Sequence, residues 1–335
     1  MLLFDPVGVL AGLVIALLLD AALGEPNWVW RHIPHPAIVM GRAVEWCDRV
    51  LSRERFSDFQ RRGLGLIAII GLLILAAGLG LAIATLPGGV YLVVVPTAIL
   101  LAQRSLSDHV LAVEAGLNTS LDEGRQAVSM IVGRNPETLD EAGVSRAAIE
   151  SCAENFSDGV VAPALWFLAF GLPGILAYKM LNTADSMIGH RTPRHQAFGW
   201  AAARLDDVAN LIPARFSGVL IACVGRMVPG LKAMFRDAGK HTSPNAGWPE
   251  AAMAGTLRIA LAGPRMYGET LVDGAWINGE GRRDVTARDV RRSVRVIWRS
   301  WAAMVMMVGF GAFALFGISE GAVVPGNWFS LQPRW

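Results

Sequence analysis

The strongest constraint on this chain is residues 63–86, a run of 24 positions without one charged side chain. A helix needs about 20 mostly apolar residues to cross a bilayer, and in hydrocarbon its backbone must satisfy its own hydrogen bonds. Residues 2–23 make a second such run, interrupted by Asp5 and Asp20. It is too long and too acidic for a signal peptide, and no small-residue cleavage site with a basic leader is present. A Pro87-Gly88-Gly89 turn leads into a shorter third stretch, 90–103, and residues 301–318 form the fourth. Composition agrees: 53% of the 335 residues are apolar, 17% are charged and mean hydropathy is +0.42. These values exclude a disordered chain, a collagen-like chain, a basic nucleic-acid binder and an ordinary soluble enzyme. Cys47, Cys152 and Cys223 form no CxxC pair, so neither a disulfide framework nor a zinc knuckle is expected, and buried free thiols are.

Arginine and lysine placement predicts orientation. Stretch 24–62 holds seven basic residues and stretch 231–299 holds twelve, whereas the turn at 87–89 holds none. Both stretches are therefore predicted cytoplasmic, with both termini outside. Two further apolar segments are ambiguous. Residues 159–178 carry Gly171-Leu172-Pro173-Gly174, which reads as two half-helices around a break. Residues 212–228 carry Pro213, Arg215 and Arg226, and two arginines at membrane depth cost several kcal/mol. Both read as re-entrant or buried segments. The expected architecture is a single all-α domain over 1–335, polytopic, with about four spans and a helical and loop region on the cytoplasmic side. Six spans is the alternative. Residues 231–299 read as loop-rich, and 239–285, rich in Gly, Pro and Asn, as loop with short elements.

Polar chemistry concentrates between residues 154 and 215. Glu154 and Asp158 lie four apart on one helical face, where two carboxylates repel unless a cation intervenes. Lys179, Asn182 and Ser186 share a face, with Asp185 beside them. Asp206 and Asp207, followed by Asn210, offer oxygen ligands of the kind Mg²⁺ takes when it bridges carboxylates to phosphates. Arg204 and Arg215 flank them, and guanidinium forks match phosphate oxygens. The competing explanations are charged helix ends at the membrane surface, a snorkelling lysine, and a solvated helix with internal Arg–Asp pairs. No GxxxxGK[ST] loop, GxGxxG fingerprint, HExxH or GxSxG elbow occurs.

At these residues the sequence resembles the CobD/CbiB family of cobalamin biosynthesis, the adenosylcobinamide-phosphate synthases. The resemblance runs from about Asp20 to Glu269. It includes His35-Pro36-Ala37-Ile38-Val39-Met40-Gly41-Arg42, Met130-Ile131-Val132-Gly133-Arg134 and Glu154-Asn155-Phe156-Ser157-Asp158-Gly159. It continues through the run from Lys179 to Gly189, Phe198-Gly199-Trp200, the run from Arg204 to Arg215, and Ser243-Pro244-Asn245-Ala246-Gly247-Trp248-Pro249-Glu250. The family usually reads Gly-Arg-Asp-Thr where this chain has Gly133-Arg134-Asn135-Pro136, so no aspartate stands there.

The resemblance implies an ATP-dependent amide ligase in the bacterial inner membrane, with its active side cytoplasmic. It would join adenosylcobyric acid to (R)-1-amino-2-propanol phosphate, giving adenosylcobinamide phosphate. Its cofactors would be Mg²⁺ and ATP. Its partners would be the corrinoid, the amino-alcohol phosphate, the lipid bilayer, other late cobalamin enzymes and a second copy of the chain. On that reading Asp185, Asp206 and Asp207 hold Mg²⁺, with Asp158 as a fourth candidate. Lys179, Arg204, Arg215 and Arg134 meet phosphates, with Asn182, Ser186 and Asn210 beside them. Glu154 takes a proton from the attacking ammonium. His35 contacts the corrinoid or sits in the core, and Trp166 and Trp200 are candidates to stack on the corrin. The alternatives are a transporter, a membrane phosphoalcohol transferase, whose spaced aspartate motif is missing, and a non-catalytic scaffold of late cobalamin synthesis.

Overall fold

The computed structural model describes residues 6–53, 55–87, 90–133, 136–190, 192–267, 270–272 and 274–321. Among these the architecture is helical. The chain begins with α1 (Pro6–Leu23), a short α2 (Asn27–Trp30), α3 (Pro36–Leu51) and α4 (Asp58–Thr85). Ser57 starts α4 with a reciprocal capping box, its hydroxyl accepting from Gln60 N while the Gln60 side chain accepts from Ser57 N. Next come α5 (Val90–Leu100), α6 (Gln103–Thr119), α7 (Leu121–Ser129) and α8 (Glu141–Phe156). A π-helical turn, Ser157–Val161, joins α8 to α9 (Ala162–Ile188). Beyond it lie α10 (His195–Phe198), α11 (Trp200–Ala209), α12 (Leu211–Val224), α13 (Met227–Asp237), α14 (Gly247–Leu257) and α15 (Ala287–Gly321). Four short strands, β1 (Leu261–Ala262), β2 (Arg265–Tyr267), β3 (Thr270–Val272) and β4 (Trp276–Ile277), precede α15. They form two antiparallel pairs, with Leu261 opposite Ile277 and Met266 opposite Leu271.

Among the described residues four stretches are long and apolar enough to cross a membrane: Pro6–Leu23, Asp58–Thr85, Glu141–Ile188 and Ala287–Ile318. A fifth arises if α11 and α12, bent by 46° at their junction, count as one broken span. The number agrees with the sequence reading, but the membership differs. Helix α5 has 11 residues, about 16 Å at 1.5 Å per residue, and is too short to span. The run at 90–103 is cut because Ala102 leaves helical geometry (φ −137°, ψ 24°). The buried carboxylate of Asp20, on α1, then accepts from Gln103 N at 2.9 Å and satisfies an amide at the start of α6. An acid inside an apolar helix is thus explained by a helix end 83 residues away.

The third span is instead the 48-residue run Glu141–Ile188. Straight, it would extend about 72 Å, over twice the hydrocarbon core. It is broken where the sequence predicts, at Gly171 (φ 65°, ψ −151°), a conformation essentially reserved for glycine. Two residues on, α4 crosses so closely that a Cβ at Gly80 would lie 2.7 Å from Pro173 Cα. Small residues at such crossings let helix backbones approach in a membrane. The segment 212–228 becomes α12, whose buried face includes Pro213, Ala214, Ser217 and Ile221. Contrary to the loop reading, 239–285 contains α14, in which Gly247 and every residue from Pro249 to Leu257 are buried. A helix buried all round shows no amphipathic period, so its sequence gives no helical signal. Cys47 and Cys152 are buried thiols as expected, whereas Cys223 is exposed on α12.

Candidate active site

The site forms where the π-helical turn, the second half of α9 and the α11–α12 junction meet. A π turn inserts one extra residue into a helical run and rotates the residues beyond it, and such bulges are frequent at functional sites. Here the turn carries Asp158. Further along, in the second half of α9, the buried Tyr178 places its hydroxyl 3.1 Å from the Asp158 carbonyl oxygen and 2.9 Å from Asn210 Oδ1. Asn210 in turn donates from Nδ2 to Asp206 Oδ2 at 2.8 Å. Asn210 occupies the break between α11 and α12 (φ −94°, ψ 0°), so the 46° bend is what turns it toward the acids.

The Asp158 carboxylate lies within electrostatic reach of Glu154, Asp206 and Asp185. Asp185 is in turn coupled to Asp207 and His190, and Asp206, which accepts from Asn210, is coupled electrostatically to Asp185, Asp207 and Asn182. Five acidic residues from three separate stretches therefore share one neighbourhood. Lys179 faces the same group, coupled to Asp158 on one side and to Asp20 and Glu25 on the other. Among the described residues its ammonium has no direct ion pair or hydrogen bond, which leaves it available to an anion. His35 caps α3, its Nδ1 accepting from Ala37 N at 3.2 Å. Burial holds its imidazole below the ordinary value of 6.5, the nearby Glu25 carboxylate opposes that shift, and Lys179 adds to it. His35 is thus neutral at physiological pH and stands at the Lys179 end of the cluster.

The cationic residues sit at the rim. Arg204 Nη1 lies 3.3 Å from Asp207 Oδ2 and is exposed. Arg215 donates to the Leu211 carbonyl at 2.7 Å and stacks over the Trp248 ring at 4.5 Å. Asn245 secures this edge: its Nδ2 donates to the Asp207 carbonyl at 2.7 Å, and its Oδ1 lies 3.4 Å from Arg215. The block from Ser243 to Glu250 is thereby brought to the site. Ser186 is exposed and its hydroxyl donates to the Asn182 carbonyl, within its own helix. Arg134 lies outside the described residues. Sequence reasoning assigns no role to Tyr178, Asn245, Asp20 or Glu25; only Asn245 is signalled, by its place in the Ser243–Glu250 block that carries the family resemblance.

An apolar cavity of about 830 Å³ abuts the acids. Leu73 of α4, Trp166, Phe170 and Tyr178 of α9, and Ala209 and Pro213 at the bend line it. Trp166 stacks on Tyr178 with ring centroids 6.3 Å apart and donates from Nε1 to the Ala209 carbonyl at 3.3 Å. Trp200, by contrast, is 45% exposed and does not line it. The Tyr178 ring therefore lines the apolar cavity while its hydroxyl reaches the Asp158 carbonyl and Asn210 of the acidic neighbourhood.

Among the described residues no three His, Cys, Asp or Glu side chains converge closely enough to hold a metal ion unaided. Mg²⁺ rarely needs such a cage: one or two carboxylates, waters and substrate phosphates suffice. The donor set fits that mode. Asp206 Oδ1 is buried with no hydrogen-bond partner, an oxygen that carries a desolvation cost unless a cation or a proton meets it.

The model of the CobD/CbiB protein family matches residues 13–297. The Cobalamin biosynthesis protein CobD of Rhizobium meliloti (strain 1021) is 52% identical over 316 residues, covering 90% of this chain and 96% of that protein. The protein of the same name from Brucella suis biovar 1 is 48% identical, covering 88% and 94%. That of Rhodobacter capsulatus is 44% identical, covering 90% and 97%. No solved structure matches the chain. The matched range includes the stretch 154–215 that builds the acidic site, and the chain belongs to the CobD/CbiB family.

Proposed function

We propose that this chain acts in cobalamin biosynthesis as an ATP-dependent amide ligase, joining adenosylcobyric acid to (R)-1-amino-2-propanol phosphate. The pathway is supported by the names its relatives carry. The chemistry is supported above all by one observation. Asp158, Asp185, Asp206 and Asp207 share a neighbourhood with an unpaired Lys179 and with Arg204 and Arg215 at its rim.

A carboxylate does not condense with an amine until one of its oxygens becomes a leaving group. In the proposed reaction a carboxylate oxygen of the corrinoid attacks the γ-phosphorus of ATP, and the bond to ADP breaks. The amine nitrogen then attacks the acyl carbon, and inorganic phosphate departs with the C–O electron pair. Phosphoryl transfer demands mainly positioning and charge neutralisation. Lys179, Arg204, Arg215 and Arg134 supply positive charge to the phosphates. Mg²⁺, held by one or two carboxylates of the set Asp185, Asp206 and Asp207 together with water and substrate phosphates, would neutralise charge on the transferred group. Glu154 accepts the proton that the ammonium must lose, and Asp158 is its alternative. Asn182, Asn210 and Ser186 orient ligands around the acids, and neutral His35 packs at the far end without adding a charge. The apolar chamber lined by Trp166 and Tyr178 takes a face of the large corrin ring, leaving its carboxylate at the polar side. The basic flanking stretches favour a cytoplasmic-facing site in the inner membrane.

The test is the purified protein in detergent with both substrates and Mg-ATP. The corrinoid should gain the mass of the amino-alcohol phosphate less one water, with equal ADP release. Product formed without ATP, or ATP-independent transport of the corrinoid into vesicles without product, would refute the ligase reading.

A further inference from the structure

Helix α15 carries a lipid-shaped stripe. Arg288, Arg295, Arg299, Met306, Phe310 and Phe313 are spaced by 7, 4, 7, 4 and 3 residues, which at 100° per residue puts them on one face. All six are exposed; Met306, Phe310 and Phe313 are 67%, 73% and 74% so. The opposite face, through Val290, Ser293, Val294, Ile297 and Ser300, is buried. The other basic residues of α15 are neutralised: Arg291 pairs with Glu114 at 2.9 Å, and Arg292 pairs at 2.9 Å with Asp289, which Arg282 also meets at 2.6 Å. Among the described residues Arg288, Arg295 and Arg299 have no acidic partner. Trp298 and Trp301 flank Arg299, with rings 5.3 Å apart, and mark the level at which water gives way to hydrocarbon.

We propose that this face is a binding site for an anionic phospholipid, the arginines taking the phosphate headgroup and the Met306–Phe310–Phe313 surface taking an acyl chain. The three guanidinium groups run along about 11 residues, roughly 17 Å, with Arg299 beside the tryptophans and Arg288 farthest from them. A second copy of the chain is the less suitable occupant. A symmetric pairing of this face would set unpaired arginines against unpaired arginines. This proposal does not depend on the ligase reading.

The experiment uses the full-length protein in nanodiscs of mixed phosphatidylglycerol and phosphatidylcholine, with retained lipid identified after extraction into detergent. Wild type should retain phosphatidylglycerol over phosphatidylcholine by about tenfold or more, given roughly 1 kcal/mol per arginine near an anionic surface. The variant with Arg288→Gln, Arg295→Gln and Arg299→Gln should lose that preference, and the triple Lys variant should keep it. If the triple Gln variant fails to insert, Arg295→Gln alone should lower the preference by about fivefold. Soluble glycerol phosphate should not displace the lipid, because it lacks the chain. No preference in wild type, an unchanged preference in the Gln variants, displacement by glycerol phosphate, or a lipid-independent Met306→Cys cross-link between two copies would overturn the proposal.

Discussion

Asp206→Asn and Asp207→Asn should each reduce ATP-dependent amide formation by about a hundredfold or more, the scale expected when several kcal/mol of charge stabilisation leaves a transition state. Both variants should still enter the membrane. The substitution keeps side-chain volume, and at 206 it keeps an oxygen for the 2.8 Å bond from Asn210. What changes is charge. Asp206 loses the anionic character of its buried, partnerless Oδ1, and Asp207 loses its pairing with Arg204. Turnover assays on detergent-purified variants, with the membrane-fraction yield beside them, check the prediction. Normal turnover by either variant removes it from the metal and phosphate site; loss of yield together with activity assigns it to folding.

A second large effect lies outside the site. Asp237, at the end of α13, is fully buried, yet Arg236 grips it through two bonds of 3.0 and 2.9 Å, Lys240 through one of 2.7 Å and the backbone of Asn278 through another of 2.7 Å. Asn278 has left-handed backbone (φ 51°) and donates onward to the Ala254 and Ile259 carbonyls at 3.2 and 2.9 Å. One carboxylate thus ties the strand region to α13 and α14. Removing one partner of a buried charge network typically costs about 3 kcal/mol or more, so Asp237→Ala should lower the unfolding midpoint markedly in a detergent thermal scan. Burial pushes the Asp237 carboxyl upward, but the Arg236, Lys240 and Asn278 contacts outweigh it and hold the group below its usual 3.8. Between that value and the lower one the unfolded chain binds the extra proton. The contribution is therefore complete above about pH 4 and declines as pH falls through the folded value. Asp237→Ala should then show a flatter loss of stability with acid than wild type; equal midpoints at pH 7 would contradict the role.

Much of this protein is legible in its amino-acid sequence. Long apolar runs mark three of the four spans, and Gly171 with Pro173 marks the break in α9. The acids at 154–158, 185 and 206–207 are recognisable because polar groups beside apolar stretches need partners, and the structure brings them together. The features that stay hidden depend on long-range pairing. Asp20 reads as an awkward acid because the amide it satisfies is far along the chain, and residues 90–103 read as a span because nothing local shows the break at Ala102. Tyr178 is an ordinary apolar-looking residue in a helix until Asn210 and the Asp158 carbonyl are found at its hydroxyl. Helix α14 leaves no trace in the sequence because burial on every side erases the alternation by which a helix is read.

The proposed ligase reaction requires that the corrinoid carboxylate be activated by phosphorylation at the acidic neighbourhood. Adenosylcobyric acid labelled with ¹⁸O in its free carboxylate tests this directly. With ATP and amino-alcohol phosphate present, the account predicts that each amide formed delivers one labelled oxygen to inorganic phosphate, with ADP as the nucleotide product. Unlabelled phosphate, or label appearing in AMP, would contradict it.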